Sequence, residues 1–322
     1  MHDQDHGSGG HAGHSHAVAA DADTRWLTIA LLINAGFMVV EVVAGLAASS
    51  IALLADAGHM VTDVAAIALA LVAARLARRA PTGNLTFGYK RAEILSALAN
   101  GTTLVLLASY FAYAALTRLA DPPAVEAGLV LWVGLAGLGA NGAAAYFLAK
   151  ASRQSLNVKG AVQHNLIDAF GSIAAAAAAA VILLTGFQQA DPIASLIICA
   201  LMLRSGAALV RDSGRVLLEA APAGMSPGAI GAAMASSPGI AEVHDLHVWE
   251  LTTDFAALSA HVLVATEDDC HERRRQLEVL LREQFGIEHT TLQVDHEASG
   301  ALLRIKEAPA APSLANQNNP TG

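Results

Sequence analysis

Between residues 25 and 217 the chain is almost wholly apolar, and short polar joints divide this stretch into six runs, approximately 26–47, 52–76, 92–118, 126–149, 160–186 and 191–217. A helix needs roughly 20 residues to cross a hydrocarbon core. Lipid offers the backbone no hydrogen-bond partners, so a run of that length must satisfy its own N–H and C=O groups as a helix. Only 15% of the 322 residues are charged, against about 25% in ordinary soluble domains. The runs are rich in Ala, Leu, Val and Gly, small or smooth side chains that let helices approach closely in lipid. The expected fold is therefore an α-helical membrane protein with six transmembrane helices. Its parts are a flexible His-rich tail over 1–24, the six-helix domain over 25–217, a water-soluble domain over 218–298 and a disordered tail over 299–322.

Basic residues fix the expected direction of the spans. The joints after the second and fourth runs, with their helix ends, carry Arg75, Arg78, Arg79, Lys90, Arg91, Lys150, Arg153 and Lys159, whereas the other three joints contribute only Arg118. Cytoplasmic loops hold the excess of Lys and Arg, so both termini are placed in the cytoplasm, and a bacterial plasma membrane is the default location. The N-terminus lacks a cationic start running into a short apolar core and cleavage site, so no secretory signal peptide is expected. A net charge of −9 argues against a nucleic-acid partner. Two cysteines, Cys199 and Cys270, far apart in sequence, give neither a disulfide framework nor a thiolate metal motif.

Ionisable residues inside such runs are costly, about 2.5–3.5 kcal/mol each on insertion scales, and four of them form a repeated pattern. His59 precedes Asp63 by four residues in the second run, and His164 precedes Asp168 by four in the fifth. That spacing stacks each pair on one helix face. Two imidazoles and two carboxylates make a four-ligand tetrahedral set suited to Zn²⁺, with Cd²⁺ and Co²⁺ also admissible; Ca²⁺ and Mg²⁺ demand more oxygens. Binding requires neutral His and ionised Asp, so protons compete with metal at every ligand. A carrier that loads metal on one side and protons on the other follows from that competition: export of Zn²⁺ in exchange for protons by alternating access. Spacing alone does not show that the two pairs meet.

Two other functions remain open on the residues: an intramembrane metalloenzyme, and a membrane metal sensor signalling through its soluble domain. An enzyme needs an open coordination position and a base, which four closing ligands and the absence of a His-Glu-x-x-His text disfavour, so no enzyme is expected. A sensor has no need of a duplicated site within the bilayer. Asp56, near a helix start, reads as a cap or helix-dipole partner rather than a ligand. Asn34 and Glu41 share a face of the first run; Glu41 either lines a hydrated route or packs by hydrogen bonding. Arg204 in the sixth run reads as a snorkelling side chain.

At the N-terminus, His2, His6, His11, His14 and His16 alternate with Gly and Asp, a composition that cannot form a core and serves either as metal capture or as a dispensable tract. Beyond residue 224 the pattern shifts to short elements: helix 226–236, strands 240–251 and 254–265, helix 269–285 and strand 288–296. That order predicts a small α+β, ferredoxin-like domain with helices on one face of a sheet. Ala256, Leu258, Ala260, Val262 and Val264 alternate on one strand face and leave His261 on the other. His247 is expected on the opposite strand face from His244.

Three texts carry a resemblance to a known family: Leu53-Leu-Ala-Asp-Ala-Gly-His59-Met-Val-Thr-Asp63, Phe87-Gly-Tyr-Lys-Arg91-Ala-Glu93-Ile-Leu and Val243-His-Asp-Leu-His-Val-Trp249-Glu-Leu. They resemble the zinc-transporting branch of the cation diffusion facilitator family, over about residues 25–297. The resemblance implies a homodimer with one transport site per protomer, built from His59, Asp63, His164 and Asp168. It also implies a cytoplasmic-domain metal site at His244, His261 and Asp295, where Zn²⁺ is a regulatory ligand as well as the transported substrate, and no organic cofactor. A charged interlock between Arg91 and Glu219 is implied at the membrane boundary.

Overall fold

The computed structural model describes residues 24–151, 156–252 and 255–297, with side chains described outside 24–28 and 148–167. The His-rich N-terminus and the residues beyond 297 lie outside this range. The chain divides into two compact units near Ala220.

The first unit holds six helices: α1 (Thr24–Ala47), α2 (Ile51–Ala77), α3 (Ala92–Ala120), α4 (Ala127–Ala151), α5 (Leu156–Thr185) and α6 (Ala190–Leu217). All six are long and apolar enough to cross a membrane. Their outward faces are apolar: Leu32, Val43, Leu46, Tyr113, Trp132 and Leu184 are exposed. In water such surface would drive aggregation; in lipid it is the solvated face. The interior is rich in small residues instead. Helices α3 and α6 cross where Gly101 meets Gly206; a Cβ on Gly101 would sit 3.1 Å from the Gly206 carbonyl oxygen, too close without a shift. Helices α1, α2, α4 and α5 share a core that includes Phe37, Leu53, Val130 and Ala179.

One end of α2 is anchored through polar groups that the apolar text hides. Ser50 caps the helix, its hydroxyl accepting from the Leu53 amide at 3.2 Å. The same hydroxyl donates to the Asp191 carboxylate on α6, and the Ile51 amide donates to the other Asp191 oxygen at 2.8 Å. A carboxylate at a helix N-terminus meets both the unsatisfied amides and the positive end of the dipole. Ser49, left-handed with φ 55°, gives its carbonyl to an Arg118 N–H of α3 at 2.7 Å.

In the second unit, α7 (Pro227–Ala235) and α8 (Cys270–Phe285) pack with a three-stranded sheet in the order β1 (Ile240–Thr252), β2 (Phe255–Val264), β3 (His289–His296). Strands β2 and β3 are parallel, joined through α8, with His261 opposite Gln293 and Leu263 opposite Asp295. Leu258, Ala260, Val262 and Val264 are buried with Ile230, Met234, Leu277 and Leu281, so the expected alternation holds, with Ala256 only partly buried at its start. Asp269 caps α8 by accepting from the amides of His271 and Glu272 at 2.9 and 3.2 Å. Those two bonds hold its carboxyl below the usual carboxylate range. Gly286, left-handed at φ 67°, ends the helix, as a residue without a Cβ does at no steric penalty.

Candidate metal centre

Asp63 is the thirteenth residue of the 27 in α2, and Asp168 the thirteenth of the 30 in α5. Both acids therefore lie near the middle of their helices, away from the helix ends where an ionisable group is most easily reached by water. Helix α5 begins four residues earlier than the expected 160, so its pair lies farther from the helix start than the expected bounds place it. His59 stands between the acids. Its Nδ1 is 3.8 Å from Asp63 Oδ2 along α2, and its Nε2 is 3.4 Å from Asp168 Oδ1 across to α5. One ligand atom from each of the three falls within 4.8 Å of the others, and this is the one such group of three among the described residues. Asp168 is 6% exposed, and His59 and Asp63 are partly open. Neighbouring oxygen and nitrogen donors with a route of access are what a divalent cation needs.

His164 lies one helical turn before Asp168 on α5, with its side chain outside the described residues. Asp56 does not cap α2. Ser50 and Asp191 take that role, and Asp56 is a buried residue whose Oδ2 accepts from Ser172 of α5 at 3.2 Å. The expected cap fails because the helix starts five residues before Asp56, so the amides beside it already have intrahelical partners. Gly171 leaves room for this contact, since a Cβ there would overlap Asp56 Oδ1. Glu41 of α1 is fully buried and lies within electrostatic reach of Asp56 and Asp168. Arg204 is exposed on the outer side of α6, away from these groups. Asp191, Ser172 and Gly171 carried no weight in the sequence reading. Ser172 was nonetheless accessible to it: it stands four residues beyond Asp168, on the same face of α5.

In the second unit the candidate ligands lie on the sheet face turned from the helices. The rings of His244 and His261 are edge-to-face with centroids 5.5 Å apart. Asp295 is exposed and accepts from Gln293 at 2.8 Å. The three are on one face without forming a tight cluster. The expected separation of His244 from His247 does not hold. Asp245 is left-handed at φ 52° and inserts one extra residue into β1, as a bulge does. Val243 and Leu246 then both reach the core, while His244 and His247 are both exposed. His247 Nε2 lies 2.9 Å from Asp245 Oδ1, and that bond holds the Asp245 carboxyl below its usual range.

The family is decided by the extent of the match. Residues 27–218 fit the cation efflux transmembrane domain and residues 224–297 the cytoplasmic domain of cation efflux proteins. The chain belongs to the cation efflux family. Similar members include the cadmium, cobalt and zinc/H⁺-K⁺ antiporter of Bacillus subtilis, 37% identical over 89% of this chain and 93% of that protein. The zinc transporter ZitB of Escherichia coli is 38% identical over 88% and 92%. The metal cation efflux system protein CzcD of Cupriavidus metallidurans is 36% identical over 93% and 96%. As a cation efflux protein, this chain has its buried His-Asp cluster inside the transmembrane domain that defines the family.

Proposed function

We propose that the chain is a secondary transporter that exports Zn²⁺ from the cytoplasm in exchange for protons, with Cd²⁺ and Co²⁺ as further cargo. The reading rests above all on His59, Asp63 and Asp168 converging at mid-helix, with His164 as the fourth ligand one turn from Asp168. Two carboxylates and two neutral imidazoles balance a divalent charge and satisfy tetrahedral zinc. Each ligand that lets go of metal can take a proton, so the site is occupied by one cation type or the other. The names of the relatives, a zinc transporter and a zinc/H⁺-K⁺ antiporter, agree with that exchange. Orientation follows the basic joints, with both termini cytoplasmic and the protein in the plasma membrane.

The second unit serves as a cytoplasmic metal-binding and dimerisation domain, with His244, His261 and Asp295 as its zinc ligands. Its ligands are exposed at His244 and Asp295, half-buried at His261, and unclustered, so metal would draw them together, which suits regulation. Arg91 Nη2 lies 3.1 Å from Glu219 Oε1 and ties the start of α3 to the residue pair following α6. Uptake of labelled zinc into inverted vesicles of purified protein, driven by an imposed pH gradient, tests the reading. Gradient-dependent uptake is expected; zinc binding with no movement across the vesicle wall would overturn it.

A further inference from the structure

The metal centre has a neighbour that its ligands do not account for. Asp56 stands three residues before His59, about one helical turn along α2. Its carboxylate sits in a cradle formed by α5: Gly171 gives it space, and the Ser172 hydroxyl donates to Oδ2 at 3.2 Å. From α1, Glu41 reaches the same spot. Glu41 is fully buried, and neither of its oxygens accepts a hydrogen bond from a donor. Its polar neighbour is the Asp56 carboxyl. Two ionised carboxylates are acceptors only and cannot bond to each other. Buried side by side, with the Ser172 hydroxyl donating to Asp56 alone, they need a cation to hold them together. The other charged groups that act on the pair are His59 of α2 and Asp168 of α5.

We propose that Glu41 and Asp56, with Ser172, form a second cation station that holds the monovalent counter-ion of the exchange, a proton or a potassium ion. It rests on the exchange reading above. A divalent ion does not suit the place: the donors are few and all oxygen, where hard divalent ions want six or more, and no imidazole favours zinc. A monovalent cation there and a divalent ion one turn away repel each other directly, and both draw on the negative charge of Asp168, which acts on Glu41 and Asp56. Metal loading at His59, Asp63 and Asp168 therefore expels the counter-ion from Glu41, and its return weakens the metal. The station gives the exchange a coupling element distinct from competition at the ligands themselves.

Calorimetric titration of the full-length protein with zinc chloride at neutral pH tests this without flux. It is run in two buffers of different protonation enthalpy, with and without potassium, on wild type, Glu41→Gln and Glu41→Asp. Glu41→Gln is expected to keep zinc affinity within about threefold, a small change on a scale where tenfold is 1.4 kcal/mol. If the counter-ion is a proton, this variant releases about one proton fewer per zinc bound, whatever the potassium concentration. If it is potassium, wild-type zinc affinity falls as potassium rises, and Glu41→Gln loses that dependence. Glu41→Asp, which keeps the carboxylate, is expected to retain the wild-type linkage in either case. Unchanged proton release together with unchanged potassium dependence in Glu41→Gln would overturn the station. So would a loss of zinc affinity beyond about tenfold in both variants, because the two sites would then be one. A wild type that shows the linkage yet moves no zinc across vesicles would sink the exchange reading and leave the station standing.

Discussion

The two units carry the same chemical groups in opposite settings. In the membrane unit, His59, Asp63 and Asp168 are drawn to one point among apolar helices. In the second unit, His244, His261 and Asp295 lie spread over an open sheet face. Water stabilises exposed imidazole and carboxylate groups with no partner at all, so their grouping in the second unit costs little and imposes little. Within lipid the same groups are tolerated only when they satisfy one another or a cation. On the proposed reading, the membrane cluster is assembled before metal arrives, and the dispersed groups of the second unit would be drawn together only by metal.

The sharpest way to break this contrast is to remove one ligand from each unit. Asp168→Ala is expected to reduce zinc uptake into vesicles to the level of empty vesicles, whereas His261→Ala should retain most of it. Equal loss in both would erase the distinction. Next in size is the packing of the second unit. Leu258 is fully buried in its core, and truncation of a buried leucine to alanine costs about 2–5 kcal/mol. Leu258→Ala should melt the second unit at markedly lower denaturant concentration, read by fluorescence of a probe placed there, while the helical circular dichroism of the membrane unit persists.

The membrane unit is expected to be strict about volume where the second unit is strict about caps. Gly171→Ala forces a methyl onto Asp56 Oδ1, and overpacking of this kind costs about 1–3 kcal/mol; a lowered melting temperature of the purified protein would report it. Asp269→Ala removes the cap of α8, leaving the His271 and Glu272 amides without that acceptor, and should lower the stability of the second unit modestly. Because backbone bonds hold Asp269 below the ordinary carboxylate range, its contribution is fully present above that ordinary range. It fades as pH falls through the lowered value. The wild-type and variant stabilities should accordingly converge in acid. The smallest effect concerns the bulge: His247→Ala should let the Asp245 carboxyl titrate closer to its usual range, visible as a shifted carboxyl resonance in NMR.

How far the sequence carried differs between the units for a physical reason. Periodicity decides an element when one face is buried and the other is wet. The second unit obeyed it closely, and α8 and β3 fall within a residue of their expected bounds. It failed at Asp245, where a left-handed residue shifts the alternation; nothing in the period announces a bulge. In the membrane unit, hydropathy located all six spans because lipid accepts only continuous helices. It could not place one helix against another. That His59 meets Asp168 depends on the packing of α2 on α5, which small residues such as Gly171 permit and composition does not specify. The anchoring of α2 by Asp191 was hidden for the same reason: the partners, Ser50 and Ile51, are some 140 residues away. Asp56 was misplaced as a cap because its role is set by Ser172 on another helix.

The central claim is that the membrane unit holds one exchangeable divalent ion through His59, Asp63, His164 and Asp168. The most direct measurement is the zinc stoichiometry of purified protein at neutral pH after His2, His6, His11, His14, His16, His244, His261 and Asp295 are replaced. One tightly held zinc per chain is expected, released on acidification and lost in the added Asp168→Ala variant. No bound zinc in the parent protein, or a zinc that survives Asp168→Ala unchanged, would contradict it.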